Sequence, residues 1–447
     1  MNKTRFLEFL NDYILKMFTG SSIIDEETSS PRDNIVAQAD GGAVKVKFSR
    51  EDNYRVIIKR AQPFKNFEMH LIRSIIEEMH KINDLNITED YKNNLKNAII
   101  EKAICKSLTN SSSKTLSALL NEMTYWGQRT YEGKSTSLGF IVTNKKMGRQ
   151  TNPSLHISKF LHKDFSALLT DGQNSFMEIS ADGYVSNYVC YTKQVDNTLF
   201  APYKHLELAT LSTGTKVGVC LSEQGDVLVF KNKSLLFAKK SGSWVCYSHD
   251  EIVGKLSEHA GEYEEVRRAI YITALDTSFN RCGGCIVHVN NGDSTNVLKH
   301  VDEADVLYKE SYDYIQQEKI NQSFFATVED GTPEIPDYEQ FLLEDKCAKT
   351  ATLRKLIVGR KFQELDRKFR QELIAIDGAV VVDYDGKILA VGAIIKIEAG
   401  SSGGGRLAAA KTLSNYGISI KISNDGSIQG FKMDRNKLRA RSIFVIG

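Results

Sequence analysis

A chain of 447 residues is too long for one hydrophobic core, so two or three domains are expected. Hydrophobic residues make up 41% and charged residues 26%, the composition of an ordinary globular protein. A formal net charge of +2 gives no signal for nucleic acid or an anionic membrane, and no apolar run approaches the ~18 residues that span a bilayer.

The first segment, residues 1–136, reads as a mainly helical domain. Phe6, Phe9, Leu10, Tyr13, Ile14 and Phe18 recur near helical spacing, with charges at Arg5, Glu8, Asp12 and Lys16. Those charges break any signal-peptide core and predict a core-facing helix of a cytoplasmic protein. The stretch SSIIDEETSSPRDN reads as a loop. AVKVKF and YRVIIKR then suggest a strand pair, and residues 67–127 turn helical, with Leu71, Ile72, Ile75, Ile76 and Met79 on one stripe. Nothing in this segment forms a catalytic constellation.

The second segment, residues 137–260, reads as a β-rich domain. SEQGDVLVFKNKSLLFAKKSGSW alternates apolar runs with the polar turns EQGD, KNKS and KSGS, the pattern of an antiparallel meander with Trp244 packing at its end.

The third segment, residues 261–447, alternates helices with apolar β-branched strands, the grammar of an α/β sheet covered on both faces. A helix at 261–279 precedes the strand GGCIVHV, and a charged stretch at about 290–346 interrupts. A long helix over 348–374 leads into AVVVDYDGKILAVGAIIK, a glycine-rich loop, a helix and the strands ISIKIS and SIQGF. Seven scattered cysteines suggest reduced thiols. Cys282 and Cys285 have CxxC spacing, but no second pair or histidine pair completes a zinc site, and small residues opening a strand explain them better.

Two features carry chemistry. In IDGAVVVD, Asp377 stands where a helix gives way to an apolar strand, followed by Gly378 and Ala379. Small residues there let a ligand approach the backbone, and the carboxylate can hold a divalent metal or a sugar hydroxyl. A capped turn is the competing reading. In EAGSSGGGRLAAAKTLSNYG, the run Gly400, Ser401, Ser402, Gly403, Gly404, Gly405 precedes Arg406 at a helix start. Glycine-run amides, a helix N-terminus and a planar guanidinium together make an anion cradle suited to phosphates. It is neither a Walker A loop nor a dinucleotide fingerprint.

The order of these pieces resembles the diadenylate cyclase domain, the N-terminal domain of the DNA-integrity scanning protein. The resemblance rests on TALDTSFNRCGGCIVHV, LIAIDGAVVVDYDGKILAVGA and GGRLAAAKTLSNYGISIKISNDGSI. It implies an α+β multidomain protein ending in an α/β domain whose central mixed sheet is flanked by helices. It also implies that Asp377 with Gly378 and Ala379 stands for the family's metal- and ribose-binding Asp-Gly-Ala. Mg2+ or Mn2+ would accompany the nucleotide, and a face-to-face homo-oligomer would join two ATP molecules into cyclic di-AMP.

Arg406 stands for one member of the family's phosphate-binding Arg-His-Arg, as its first Arg or as its His. Leu407 and Ala408 occupy the following positions, and Asn424-Asp425 replaces an acidic stretch on the late strand. Losing phosphate-binding charge weakens transition-state stabilisation more than ground-state affinity. The expected function is therefore a cyclase-derived sensor in nucleotide signalling, binding ATP or a cyclic dinucleotide. The alternatives are an active diadenylate cyclase and a fold that has lost its ligand.

Overall fold

The computed structural model describes all residues except 1–2, 84–88, 110, 149–151, 257–262, 308–337, 358, 397–403, 435 and 438. The protein is mixed α and β, with several sheets, and divides into two compact units: Met1–Lys255 with Phe444–Gly447, and Leu256–Ile443.

In the first unit, α1 (Lys3–Phe9) runs on as a π-helical turn over Leu10–Leu15. A four-stranded antiparallel sheet follows, ordered β1 (Ser22–Thr28), β4 (Tyr54–Lys59), β3 (Val44–Val46), β2 (Val36–Gln38). The strand pair expected from AVKVKF and YRVIIKR is β3 and β4. The SIIDEET stretch, expected as a loop, is instead strand β1. Its side chains are mostly exposed, so it carries no apolar alternation; pairing along β4 and ion pairs of Glu27 with Lys45 and Arg55 hold it.

Three helices come next: α2 (Asn66–Asn83), α3 (Glu89–Leu108) and α4 (Ser113–Trp126). On α4, Leu116, Leu119, Leu120 and Met123 are fully buried, a stripe at helical spacing worth roughly 1.5–3 kcal/mol per side chain.

A two-stranded ribbon, β5 (Thr130–Tyr131) with β6 (Lys134–Ser135), precedes a seven-stranded sheet. That sheet contains β7 (Leu138–Val142), β8 (Ser175–Ile179) and β9 (Val185–Cys190), then β10 (Val217–Leu221), β11 (Val227–Lys231), β12 (Ser234–Lys240) and β13 (Ser243–Cys246). The last four form the expected antiparallel meander, while β7 and β8 run parallel. Asn232 and Lys233 both have positive φ, as a two-residue hairpin turn between β11 and β12 requires. Trp244 is buried beneath Lys239, whose ammonium lies 5.7 Å from the ring. Short helices α5 (Ile157–Phe160), α6 (Leu206–Leu211) and α7 (His249–Lys255) complete the unit. One hydrophobic cluster contains Phe6, Leu71, Leu119, Phe140, Val219 and Phe237, drawing on residues from both sides of position 137.

The second unit is built on a six-stranded mixed sheet. Its order is β16 (Ile388–Ala393), β15 (Ala379–Val382), β14 (Gly284–Val289), β17 (Gly417–Ile422), β18 (Ile428–Asp434), β19 (Arg439–Ile446). β14 is parallel to β15 and antiparallel to β17. Its residues are all buried, and they alternate between faces. Cys285, Val287 and Val289 share a core with Ala409, Ala410 and Leu413 of α12 (Gly405–Leu413). On the other face, Gly284 meets Ile374 of α11 (Arg367–Ala375), and His288 hydrogen-bonds the Leu256 carbonyl at 3.0 Å. α8 (Glu264–Phe279) packs beside α11, and α9 (Ser294–Leu298) and α10 (Tyr338–Ile357) lie between β14 and α11 in the chain.

The single long helix expected over 348–374 is two helices. α10 ends at Ile357, Gly359 takes a positive φ, and the Asp366 carboxylate accepts the Lys368 and Phe369 N–H groups to start α11 afresh. The interrupting charged stretch lies largely outside the described residues.

Candidate functional site

Strand register brings the chemistry-bearing residues together. Because β14 and β15 are parallel, their N-terminal ends share one edge of the sheet, and antiparallel β17 ends there too, with Gly284 opposite Ile422. Asp377 precedes β15, Gly283 precedes β14, and Asn424 follows β17. The N-terminus of α12 lies at the same edge. There the Arg406 Nη2 stands 3.8 Å from the Asp377 carboxylate.

The Asp-Gly-Ala turn is rigidly backed. Gly378 has φ +109°, and a Cβ there would overlap the backbone of Gly392 on β16. Behind that contact, the Lys349 ammonium bonds the Asp305 carboxylate at 2.6 Å and the Gly392 carbonyl at 3.2 Å. Asp305 is fully buried and also accepts the Ile394 N–H at 2.9 Å. Ala379 is buried as the first residue of β15. The Asp377 carboxylate itself accepts the Gly378 N–H at 3.2 Å and is otherwise held out in solvent, with 92% of its side chain exposed.

Facing it, Gly404 caps α12 with φ +84°, and among the described residues, chain neighbours and the helix's own backbone aside, no atom lies within 4 Å of where a Cβ on Gly404 or Gly405 would stand. The first turn of a helix leaves N–H donors without i−4 partners; here the Leu407 N–H bonds the Gly404 carbonyl at 3.2 Å. Arg406 follows directly, with 36% of its side chain exposed. Its guanidinium passes over Gly283, where a Cβ would collide with it and with the Asn424 amide oxygen. Gly283 and Asn424 thus join the site. The signal in the sequence was Gly283, the first of two glycines, which stands just ahead of β14.

Of the expected cradle, Ser401, Ser402 and Gly403 lie outside the described residues. Gly404, Gly405, Arg406, Asp377, Gly378 and Ala379 are at one edge. Leu407 is half-buried and Ala408 buried, so neither offers a polar group. Lys411, a potential replacement charge, sits in the last turn of α12, away from Arg406.

A divalent cation fits here only with help. Among the described residues no group of three or more histidine, cysteine or acidic side chains could hold one. Mg2+ is commonly held by one or two carboxylates together with substrate phosphates. Asp377 supplies such a carboxylate, so the remaining ligands would come from nucleotide phosphates and water. Cys285, from the CxxC spacing, faces the α12 core, and burial pushes its thiol up to about 12.

The opposite end of β15 is organised differently. Asp383 and Asp385 share a hairpin with the Lys361 ammonium, 2.9 Å from Asp385. Burial, reinforced by the neighbouring Asp385, pushes the Asp383 carboxyl up to about 7, and its bond to Asp383 together with Lys361 lowers Asp385.

Among the described residues no helix is long and apolar enough to cross a membrane. No family model, curated protein or solved structure matches the chain.

Proposed function

We propose that the second unit is a nucleotide-binding sensor module, derived from a diadenylate cyclase domain, that takes ATP or a cyclic dinucleotide. The observation that carries this reading is the pairing of Arg406 with Asp377 across a glycine-walled edge. The pair is 3.8 Å apart and open to water, so it contributes little to stability and is readily separated. A phosphate can take the guanidinium as a bidentate partner, and a ribose hydroxyl or a phosphate-bound cation can take the carboxylate. The N-terminus of α12 adds a dipole favourable to anions. Binding then exchanges a weak internal ion pair for stronger charge-assisted bonds to the ligand.

The local chemistry favours binding over turnover. Phosphoryl transfer requires charge stabilisation around the reacting phosphate, and a single arginine followed by Leu407 and Ala408 supplies little of it. Active cyclisation of two ATP to cyclic di-AMP and pyrophosphate is the second reading, favoured by the accessible Asp377 carboxylate.

Incubation of the whole protein with ATP and Mn2+, followed by chromatography, separates the two. Saturable retention without product supports the sensor; cyclic di-AMP and pyrophosphate establish the cyclase. Arg406→Ala is expected to weaken retention by about 1.5–3 kcal/mol, the worth of hydrogen bonds to charged groups. Retention unaltered by that substitution removes the site from consideration.

A further inference from the structure

The first unit contains a cavity of about 540 Å3, within the size range of small-molecule sites. Its walls are largely apolar: Phe64, Phe67, Phe200, Leu236 and Tyr247. Phe200 also stacks on His249, ring planes 8° apart and centroids 4.7 Å apart.

One of the charges around this cavity has no charged partner among the described residues. Its three carboxylates are each answered from within the protein. Glu68 accepts from Arg60 at 2.5 Å, Ser248 at 2.9 Å and the Lys65 N–H at 2.7 Å. Glu251 takes the Ala61 and Gln62 N–H groups and the Lys255 ammonium at 3.0 Å. Asp250 pairs with Lys65 at 2.7 Å. Lys231 has no carboxylate within ion-pair distance among the described residues. Its ammonium donates to the Leu108 carbonyl at 3.3 Å, and burial holds it below the usual lysine range. The stem is fixed at the end of β11, where Lys231 pairs with Ser234 across the tight Asn232-Lys233 turn. A half-buried ammonium facing an apolar chamber is an electrostatic cost that an anion would relieve.

We propose that this cavity binds one small organic monoanion with a flat apolar body. Its negative group meets the Lys231 ammonium, and its ring system lies among Phe67, Phe200 and Tyr247. The chemistry points to an aromatic carboxylate. A polyphosphate is disfavoured, because one cation cannot offset several charges beside Glu68, Asp250 and Glu251. The ligand class therefore differs from that proposed for the second unit.

Calorimetric titration of the full chain with benzoate, indole-3-carboxylate and 2-naphthoate, beside their neutral amides, tests this. The expected result is saturable binding of at least one acid at one per chain, with its amide at least tenfold weaker. Lys231→Met, which keeps the stem, loses at least tenfold in affinity, and Lys231→Arg keeps most of it. Phe200→Ala leaves the ammonium in place and costs the larger naphthoate more than benzoate. The proposal is overturned by no saturable binding of any acid, by equal affinity for acid and amide, or by wild-type affinity in Lys231→Met. If Lys231→Met does not fold, as judged by its thermal unfolding, the decision falls to Phe200→Ala, where equal losses for the two acids overturn the proposal.

Discussion

Two arginine–aspartate pairs among the described residues of the second unit have opposite physics. Arg367 of α11 grips Asp276 of α8 with two parallel hydrogen bonds, at 2.7 and 2.8 Å, and both side chains are fully buried. Arg406 and Asp377 stand 3.8 Å apart with Asp377 almost wholly in water. The first pair is a structural clamp joining two helices. Its charges are desolvated, and each depends on the other for compensation. The second costs little to separate, and its partners are placed where a ligand can take them. The same residue types form a buried clamp or a loose, solvated pair according to solvent access and what surrounds them.

Removing a partner should separate these roles. Asp276→Ala leaves the Arg367 guanidinium buried without its carboxylate and is expected to cost roughly 3–5 kcal/mol of unfolding free energy, measured by urea titration. A loss below about 1 kcal/mol would break the contrast. Next in size is Gly378→Ala. It places a side chain at φ +109° against the Gly392 backbone and should cost about 1–3 kcal/mol, while abolishing nucleotide retention through displacement of Asp377.

A smaller effect concerns the far end of β15. The Asp383 carboxyl is raised in the folded protein, so the folded state holds a proton that the unfolded chain releases near the ordinary aspartate value. That contribution is fully present below the unfolded value and is lost as pH rises to about 7. Asp383→Asn is therefore expected to flatten the decline of the urea midpoint between pH 4 and 7; an unchanged profile would show that the carboxyl titrates normally. The smallest change is in the stability of Arg406→Ala, expected within about 0.5 kcal/mol of wild type even as nucleotide retention falls.

What could be read from the sequence follows the same division. The segments holding Arg406 and Asp377 stood out in the sequence because glycine runs, a helix start and an Asp-Gly-Ala turn lie within a few residues, and the fold sets the two side chains 3.8 Å apart. The meander from β10 to β13 was legible because its turns carry their own punctuation. Asp276 and Arg367 were not, because the clamp joins positions far apart in the chain and each looks like a surface charge on a helix. Strand β1 was hidden because its order comes from pairing with β4 and not from its own polar residues. The break between α10 and α11 was missed because helix formers on both sides outweighed Gly359 and Asp366. Lys231 read as part of a polar turn; only the fold places it on a cavity also lined by Phe67, Phe200 and Tyr247.

The placement of β14 has a consequence for how the protein is made. This wholly buried strand leaves the ribosome well before β15 or β17, its partners on either side. Until residues near Val380 have been synthesised both of its hydrogen-bonding edges are open, and one stays open until residues near Ile420 follow. Chains halted within the first of these intervals present a sticky, double-edged strand, and self-association should be concentrated among them. The β17–β18 hairpin closes quickly once made, whereas both seams of β14 must wait for distant partners, which makes its incorporation the expected slow step of this unit's assembly.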